Sequence, residues 1–390
     1  MTTVDEAVAA AFRADWGRVL ATLIGVVGDW DLAEEATQEA FAAAVPAWRR
    51  DGIPDRPRAW LTTTARNRAI DRLRRERVGA TKLRELPVDR AHDLDVDLDV
   101  LDSGLADDRV RLLYTCCHPA LSLEARVTLS LRTLCGLSTA DVARIFGVPE
   151  ATMAKRLVRT KRKIALAGIP YRVPPAHLLP ERTNAVLHTI HLLYHDTYIA
   201  ASGNHARQLA ELVDELMPDE PEAAGLHALL LLLDARRPAR IRDGALVPLE
   251  EQDHSRWDTA MIARGMAVLR RAVRRERVGP FQLQALIAGC HVQERIDWAQ
   301  VVALYDRLLA RVPSDTVRLN RAIAIAMRDG PDLGLLDGID HPLVPAARAD
   351  FLRRLGRRAE AVPHYREALA STTNPAEQAY LRRRLAEASG

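Results

Sequence analysis

Cysteine is scarce in this sequence: Cys116, Cys117, Cys135 and Cys290 are the only four in 390 residues. So few cannot form the disulfide framework of a secreted mini-domain, and a reducing compartment suits them. No stretch approaches the roughly 18 uninterrupted apolar residues of a membrane span, so no membrane partner is expected. The opening MTTVDEAVAAAF puts acids ahead of its apolar residues and has no basic n-region, which argues against a secretory signal and for the cytoplasm. Alternating β-branched runs bounded by turns are almost missing, while apolar residues recur at spacings of three and four nearly throughout. The expected fold class is all-α. A P-loop, a dinucleotide fingerprint and a nucleophile elbow are also lacking, so an enzyme is the weakest reading and no cofactor is expected.

What the chain does have is 48% hydrophobic residues, enough for cores in two or three domains, and an uneven distribution of charge. The net charge of +3 conceals it: residues 79–108 hold nine acids and three bases, and residues 109–170 hold eleven bases and three acids. Where charge sits decides what it binds. The acidic stretch, with DLDVDLDVLD at 93–102, disfavours helix and reads as a linker over 79–107. A second boundary falls at GIPYRVPPAHLLP (168–180), whose four prolines no continuous helix accepts. The expected domains are therefore 1–78, 108–170 and 171–390.

The basic segment carries the clearest motif, LSTADVARIFGVPEATMAKRLVRTKRKI from Leu137. Ser138 with Asp141 three residues on can cap a helix whose buried face is Val142, Ile145 and Phe146, and Gly147 ends it. Pro149 and Glu150 suit the first turn of a second helix. Its apolar positions are Met153, Leu157, Thr160 and Ile164, leaving Lys155, Arg156, Arg159, Arg162 and Lys163 turned outward. Short helix, glycine turn and basic helix make a helix-turn-helix, with a solvated helical hairpin as the bland alternative.

Nearer the N-terminus, DLAEEATQEAFAAAVPAW directs Ala33, Ala36, Ala40, Phe41, Ala44 and Trp48 toward a core. Asp31, Glu34, Glu35 and Gln38 then share the opposite face, which suits a basic partner or simply water. After Pro57, RAWLTTTARNRAIDRLRRER buries Leu61, Ala65, Ile70 and Leu73 and exposes Arg66, Asn67, Arg68, Asp71, Arg72, Arg74 and Arg75. Asn, Asp and Arg together can read bases as well as phosphates.

This pair of helices resembles region 2 of the extracytoplasmic-function sigma factors of bacterial RNA polymerase, and the helix-turn-helix resembles their region 4. The resemblance covers about the first 170 residues. It implies a factor without catalytic residues that docks on the clamp helices and flap of core RNA polymerase, recognises the promoter -35 element as duplex and opens the -10 element. By position, Asp31, Glu34, Glu35, Gln38 and Glu39 match the polymerase-binding surface. Trp60, Arg66, Asn67, Arg68, Asp71, Arg72 and Arg75 match the -10 segment, and Glu150, Thr152, Lys155, Arg156, Arg159 and Lys163 the -35 recognition helix. The family's T-V-K-S-R-L stands here as Thr152-Met153-Ala154-Lys155-Arg156-Leu157, with lysine and small residue exchanged. Trp60 is the one aromatic between Trp48 and Tyr114, which suits a factor limited to a few stringent promoters.

Residues 171–390 resemble the long C-terminal extension of one sigma subgroup, with YHDTYIAASG, LMPDEPEAAGLHALLLLLDARRPAR and QDHSRWD as landmarks. In WAQVVALYDRLLARVP, Trp298, Tyr305 and Pro313 fall at tetratricopeptide-like spacing, as do Gly356, Ala361, Tyr365 and Ala368 in LGRRAEAVPHYREAL. A plain helical bundle is the alternative. The extension is expected to regulate the factor by contacting a regulator or the sigma domains. Cys116-Cys117-His118 lacks zinc spacing, and neither Cys290-His291 nor the stripe His188, His191 and His195 makes a closed set, so no metal is expected. Two other readings stay open: a helix-turn-helix regulator with a C-terminal sensor and no polymerase core binding, and a metalloprotein or hydrolase using the His-rich helix.

Overall fold

A computed structural model describes residues 3–81, 108–197 and 204–389. The aspartate tract at 93–102 and part of the 194–203 landmark lie outside the described residues. The chain divides into two compact units, Met1–Leu209 and Ala210–Gly390.

The first unit opens with three mutually packed helices, α1 (Val4–Val27), α2 (Trp30–Asp51) and α3 (Pro57–Thr81). Thr3 and Glu6 form a capping box at the start of α1, and Gly28, in the left-handed region at φ 71°, ends it. Asp29 caps α2 by accepting from the amides of Asp31 and Leu32. The core holds the α2 residues read from periodicity, Ala33, Ala36, Ala40, Phe41, Ala44 and Trp48, all buried, as are Trp16, Leu20 and Leu23 of α1, and the Phe41 ring packs on Trp16. Along α3, Leu61, Ala65 and Ala69 are buried, while Ile70 and Leu73 are only half-buried. The helix also passes through Gly79 to Thr81, because one glycine costs a helix only about 1 kcal/mol and no proline follows at once.

The second bundle comprises α4 (Asp108–Cys116), α5 (Leu123–Thr133), α6 (Thr139–Ile145) and α7 (Glu150–Leu166). Its core is Leu112, Leu113, Leu129, Leu131, Val142, Met153 and Leu157. The next helix, α8 (Leu179–Thr197), packs on α4 and α5, and the Tyr114 and Thr183 hydroxyls lie 2.8 Å apart. The two bundles touch along α1 and α4. Gly17 lies so close to the Leu134 carbonyl oxygen that a Cβ would stand 3.0 Å from it. Gly136, at φ 70°, lies against the Trp16 ring.

After α9 (Asn204–Leu216), the second unit is built around α10 (Pro221–Ala235), which is apolar on nearly every side and accordingly buried on nearly every side. Four residues of α11 (Arg237–Arg240) lead into a two-stranded hairpin, β1 (Ile241–Arg242) and β2 (Ala245–Leu246). Its turn residues Asp243 and Gly244 both have positive φ, the Asp-Gly signature of a tight hairpin. Next come α12 (Thr259–Val273) and α13 (Pro280–Cys290), both against α10. Five further helices follow: α14 (Trp298–Leu309), α15 (Asp315–Asp329), α16 (Val344–Arg354), α17 (Arg358–Ser371) and α18 (Pro375–Ser389). Each packs on its neighbour in the chain. Val301, Val302, Leu304 and Leu308 join Leu283 and Ile287 in one cluster, and Ala361, Tyr365 and Ala368 join Leu352 and Leu381 in another.

The α10–α13 crossing depends on Gly225, where a Cβ would stand 2.8 Å from the backbone nitrogen of Gln282. Glu222, one turn earlier, fixes that nitrogen by accepting from the amides of Phe281 and Gln282 at 2.8 and 3.0 Å. Backbone cannot swing aside as a side chain can. Gly225→Ala should therefore destabilise the second unit by about 2 kcal/mol despite alanine's better helix propensity, read as a lower urea midpoint at unchanged m-value.

Candidate functional site

The helix-turn-helix forms as its local sequence requires. Ser138 Oγ accepts from the Asp141 amide at 3.0 Å and donates to the Asp141 carboxylate at 2.6 Å. That hydroxyl, with the Arg144 guanidinium beside it, holds the Asp141 carboxyl below the usual carboxylate range. Val142 and Ala143 are buried, Ile145 and Phe146 half-buried, and Gly147 turns the chain at φ 60°. In α7 the four buried residues are Met153, Leu157, Thr160 and Ile164, the set expected from spacing. The Thr160 hydroxyl is satisfied by the Arg156 carbonyl at 2.9 Å.

Glu150, Lys155, Arg159, Arg162 and Lys163 stand exposed on the outer side of α7, while Thr152 and Arg156 are half-buried. Arg156 pairs with Glu124 of α5. A groove of about 370 Å³ runs between the two helices, lined among others by Ser122, Thr128, Arg156, Arg159 and Lys163. Ser122, which caps α5, and the Glu124 carboxylate line the same open surface as these cations.

On the first bundle, Asn67, Asp71 and Arg75 of α3 are exposed, and Arg66, Arg68 and Arg72 half-buried. Trp60 is half-buried edge-on to Trp48, ring centroids 5.8 Å apart. Arg68 donates to Glu39 at 2.9 Å, and Arg72 pairs with both Glu35 and Glu39. The acidic face of α2 and the arginine face of α3 therefore meet rather than standing apart. Asp31, Glu35 and Gln38 are exposed, but Glu34 is held between Arg132 of α5 and Lys161 of α7. Neither cation stands out in the sequence. No local pattern links Glu34 to a lysine 127 positions away.

The cysteine and histidine sets bear no comparable arrangement. Cys116 and Cys117 are buried beside Thr133 and Ser130, and burial pushes the Cys117 thiol up to about 11, away from nucleophile or ligand behaviour at neutral pH. His191 and His195 bring their Nε2 atoms to 3.2 Å. Among the described residues, no group of three or more His, Cys, Asp or Glu side chains is placed to hold a metal ion, and no helix is long and apolar enough to cross a membrane.

A helical bundle with paired acidic and arginine faces, followed by a helix-turn-helix with an exposed basic second helix, is the arrangement of a helical protein with a DNA-binding type of module. Comparison with known families agrees. Residues 12–78 match sigma-70 region 2, residues 111–164 match sigma-70 region 4, and residues 182–273 match a family of unknown function, DUF6596. An uncharacterized protein of Rhizobium meliloti, R00370, is 38% identical over 94% of this chain and 92% of its own length. The ECF RNA polymerase sigma factor SigK of Mycobacterium ulcerans is 31% identical over 36% of this chain and 74% of its own. The probable ECF sigma factor SigI of Mycobacterium tuberculosis is 31% identical over 44% of this chain and 59% of its own. No solved structure matches the chain. The chain belongs to the sigma-70 family as an ECF RNA polymerase sigma factor with a long helical extension.

Replacing the cap of α6 tests the local logic of the region 4 helix-turn-helix. Ser138→Ala should cost about 1 kcal/mol, and Ser138→Gly only a few tenths, read from thermal unfolding of the two variants.

Proposed function

We propose that region 2 docks on core polymerase through the α2 face of Asp31, Glu34, Glu35, Gln38 and Glu39, meeting the clamp helices. The α3 residues Trp60, Arg66, Asn67, Arg68, Asp71, Arg72 and Arg75 then read and open the -10 element. Region 4 meets the flap and lays α7 on the -35 duplex through Glu150, Thr152, Lys155, Arg156, Arg159 and Lys163. The observation that carries this reading is α7 itself: one face supplies four buried core residues and the other a row of exposed cations, behind a capped first helix. The proposed domains are region 2 over 1–78, a linker over 79–107, region 4 over 108–170 and a regulatory extension beyond, with tetratricopeptide-like helix pairs toward 297–390.

Run-off transcription with purified bacterial core polymerase tests the assignment, since only a sigma factor confers promoter-specific initiation on it. A helix-turn-helix regulator would bind duplex and leave core polymerase unprogrammed. Arg159→Ala should reduce the slope of log affinity against log salt for -35 duplex by about one, because one phosphate contact releases about one counterion.

The extension is proposed as a positive element, its size and packed cores being suited to a standing protein contact. Because α8 packs on α4 and α5, a cut before it strips apolar cover from region 4. A chain ending at residue 170 should therefore lose region 4 stability. A chain ending at residue 203 should keep that stability yet transcribe at least tenfold less than the full chain.

A further inference from the structure

Besides its buried face and its cations, α7 carries a third stripe, and this one is apolar and open to solvent. Ala151, Ala154 and Val158 stand exposed at i, i+3 and i+7, so they lie one above another on a single side of the helix. Val158 is 59% exposed in the middle of α7. The fold gains little from it, because a β-branched side chain lowers helix propensity slightly and Val158 is no part of the core. The stripe is unbroken because the small residue stands at 154 and the lysine at 155. Arg156 does not intrude on it, being half-buried and paired with Glu124 of α5.

The neighbours of Val158 decide what it can meet. Lys155 and Arg162 lie about one turn before and after it, Arg159 follows it directly, and all three are exposed. A helix with its side chains is about 10–12 Å across and the major groove of B-DNA about 12 Å wide, so a helix seated there fills it. Long cations at the flanks then reach phosphates on the groove walls, and the stripe between them faces base edges on the floor. Alanine and valine offer neither donor nor acceptor. Of the groups that base pairs present in the major groove, the thymine C5 methyl is the apolar one. A polar edge held against Val158 would lose its water and gain no partner. The short side chains at 151 and 154 let helix and floor come into van der Waals contact, where longer ones would hold them apart.

We propose that Val158, seated beside Ala151 and Ala154, is a specificity-determining residue that reads the methyl group of a thymine in the -35 element, while Lys155, Arg159 and Arg162 hold the DNA backbone. This rests on the placement of α7 on the -35 duplex. The division of labour follows from the chemistry of each group: cations bind any phosphate and fix the register of the helix, whereas an uncharged methyl contact adds affinity only where the matching base stands. An A·T pair with its thymine toward Val158 is therefore preferred at one position over the other three arrangements of bases.

Exchange of thymine for deoxyuridine tests the proposal, because it removes the methyl group and leaves base pairing intact. The full chain, assembled with purified bacterial core polymerase, first selects promoter duplexes from a random-sequence pool, and each thymine of the selected -35 element is then replaced in turn. At one position the wild-type holoenzyme should bind about fourfold more weakly, the worth of one buried methyl group. Val158→Ala should weaken binding of the thymine duplex by a similar factor and bind its deoxyuridine counterpart equally well, within about 1.5-fold, since the two changes delete the same contact. Val158 lies outside the core, and thermal melting of both chains checks that the variant is folded. If no thymine of the -35 element responds to loss of its methyl group, if the selected element consists of G·C pairs alone, or if Val158→Ala keeps the wild-type response, the proposal is overturned. A holoenzyme that selects no -35 element, or whose -35 binding is untouched by Arg159→Ala, overturns the placement of α7 instead.

Discussion

The buried indole of Trp16 is where the architecture of the first unit converges. Its ring packs with Phe12 and Phe41 inside region 2, with centroids at 5.0 and 6.0 Å, takes the Arg132 guanidinium over its face, and meets the Gly136 turn of region 4. A single aromatic therefore serves one domain's core and the other domain's docking surface. An indole face suits both tasks, since dispersion holds it in the core and its quadrupole attracts a desolvated cation. Arg132 then stands ready for Glu34, and the charged contact inherits its precision from an apolar one.

What can be read from the sequence and what cannot divide along the range of the interactions. Met153, Leu157, Thr160 and Ile164 are legible because helical spacing alone puts them on one side, and Ser138 because a cap acts within three residues. The same holds for Ala33, Ala40 and Trp48. The hairpin at 241–246 was legible in principle from Asp243-Gly244, but strands of two residues give no alternation to notice. The pairing of Arg68 and Arg72 with Glu39 and Glu35 needs two helices to cross at a particular height, and the Glu34 clamp needs two domains to meet. Neither leaves a mark on local spacing, so an acidic stripe that reads as one open surface is in fact three environments: exposed at Gln38, crosslinked to α3 at Glu35 and Glu39, and covered at Glu34.

In the second unit, polar groups do the aligning where apolar contacts are permissive. The α10 interior is almost wholly aliphatic, and aliphatic surfaces slide easily over one another. His227 and Asp214, both buried and 2.9 Å apart, fix it against α9, with Arg271 of α12 donating to the same carboxylate at 2.5 and 2.7 Å. Glu251 does similar work far along the chain, receiving Arg383 and Arg384 from α18. Polar networks of this kind contribute less to stability than to a single choice of register.

The placement of α8 bears on how such a protein is inherited. The family match of unknown function begins at residue 182, whereas the first compact unit continues to Leu209, so the span matched by sequence and the span that folds as a body are out of step. Tyr114 and Thr183 sit on opposite sides of that seam, and an exchange of extensions between relatives made at residue 182 would hand region 4 a foreign wall for its own core. Such an exchange would have to carry compatible residues of α4 and α5 with it, because α8 belongs to the body of the first unit.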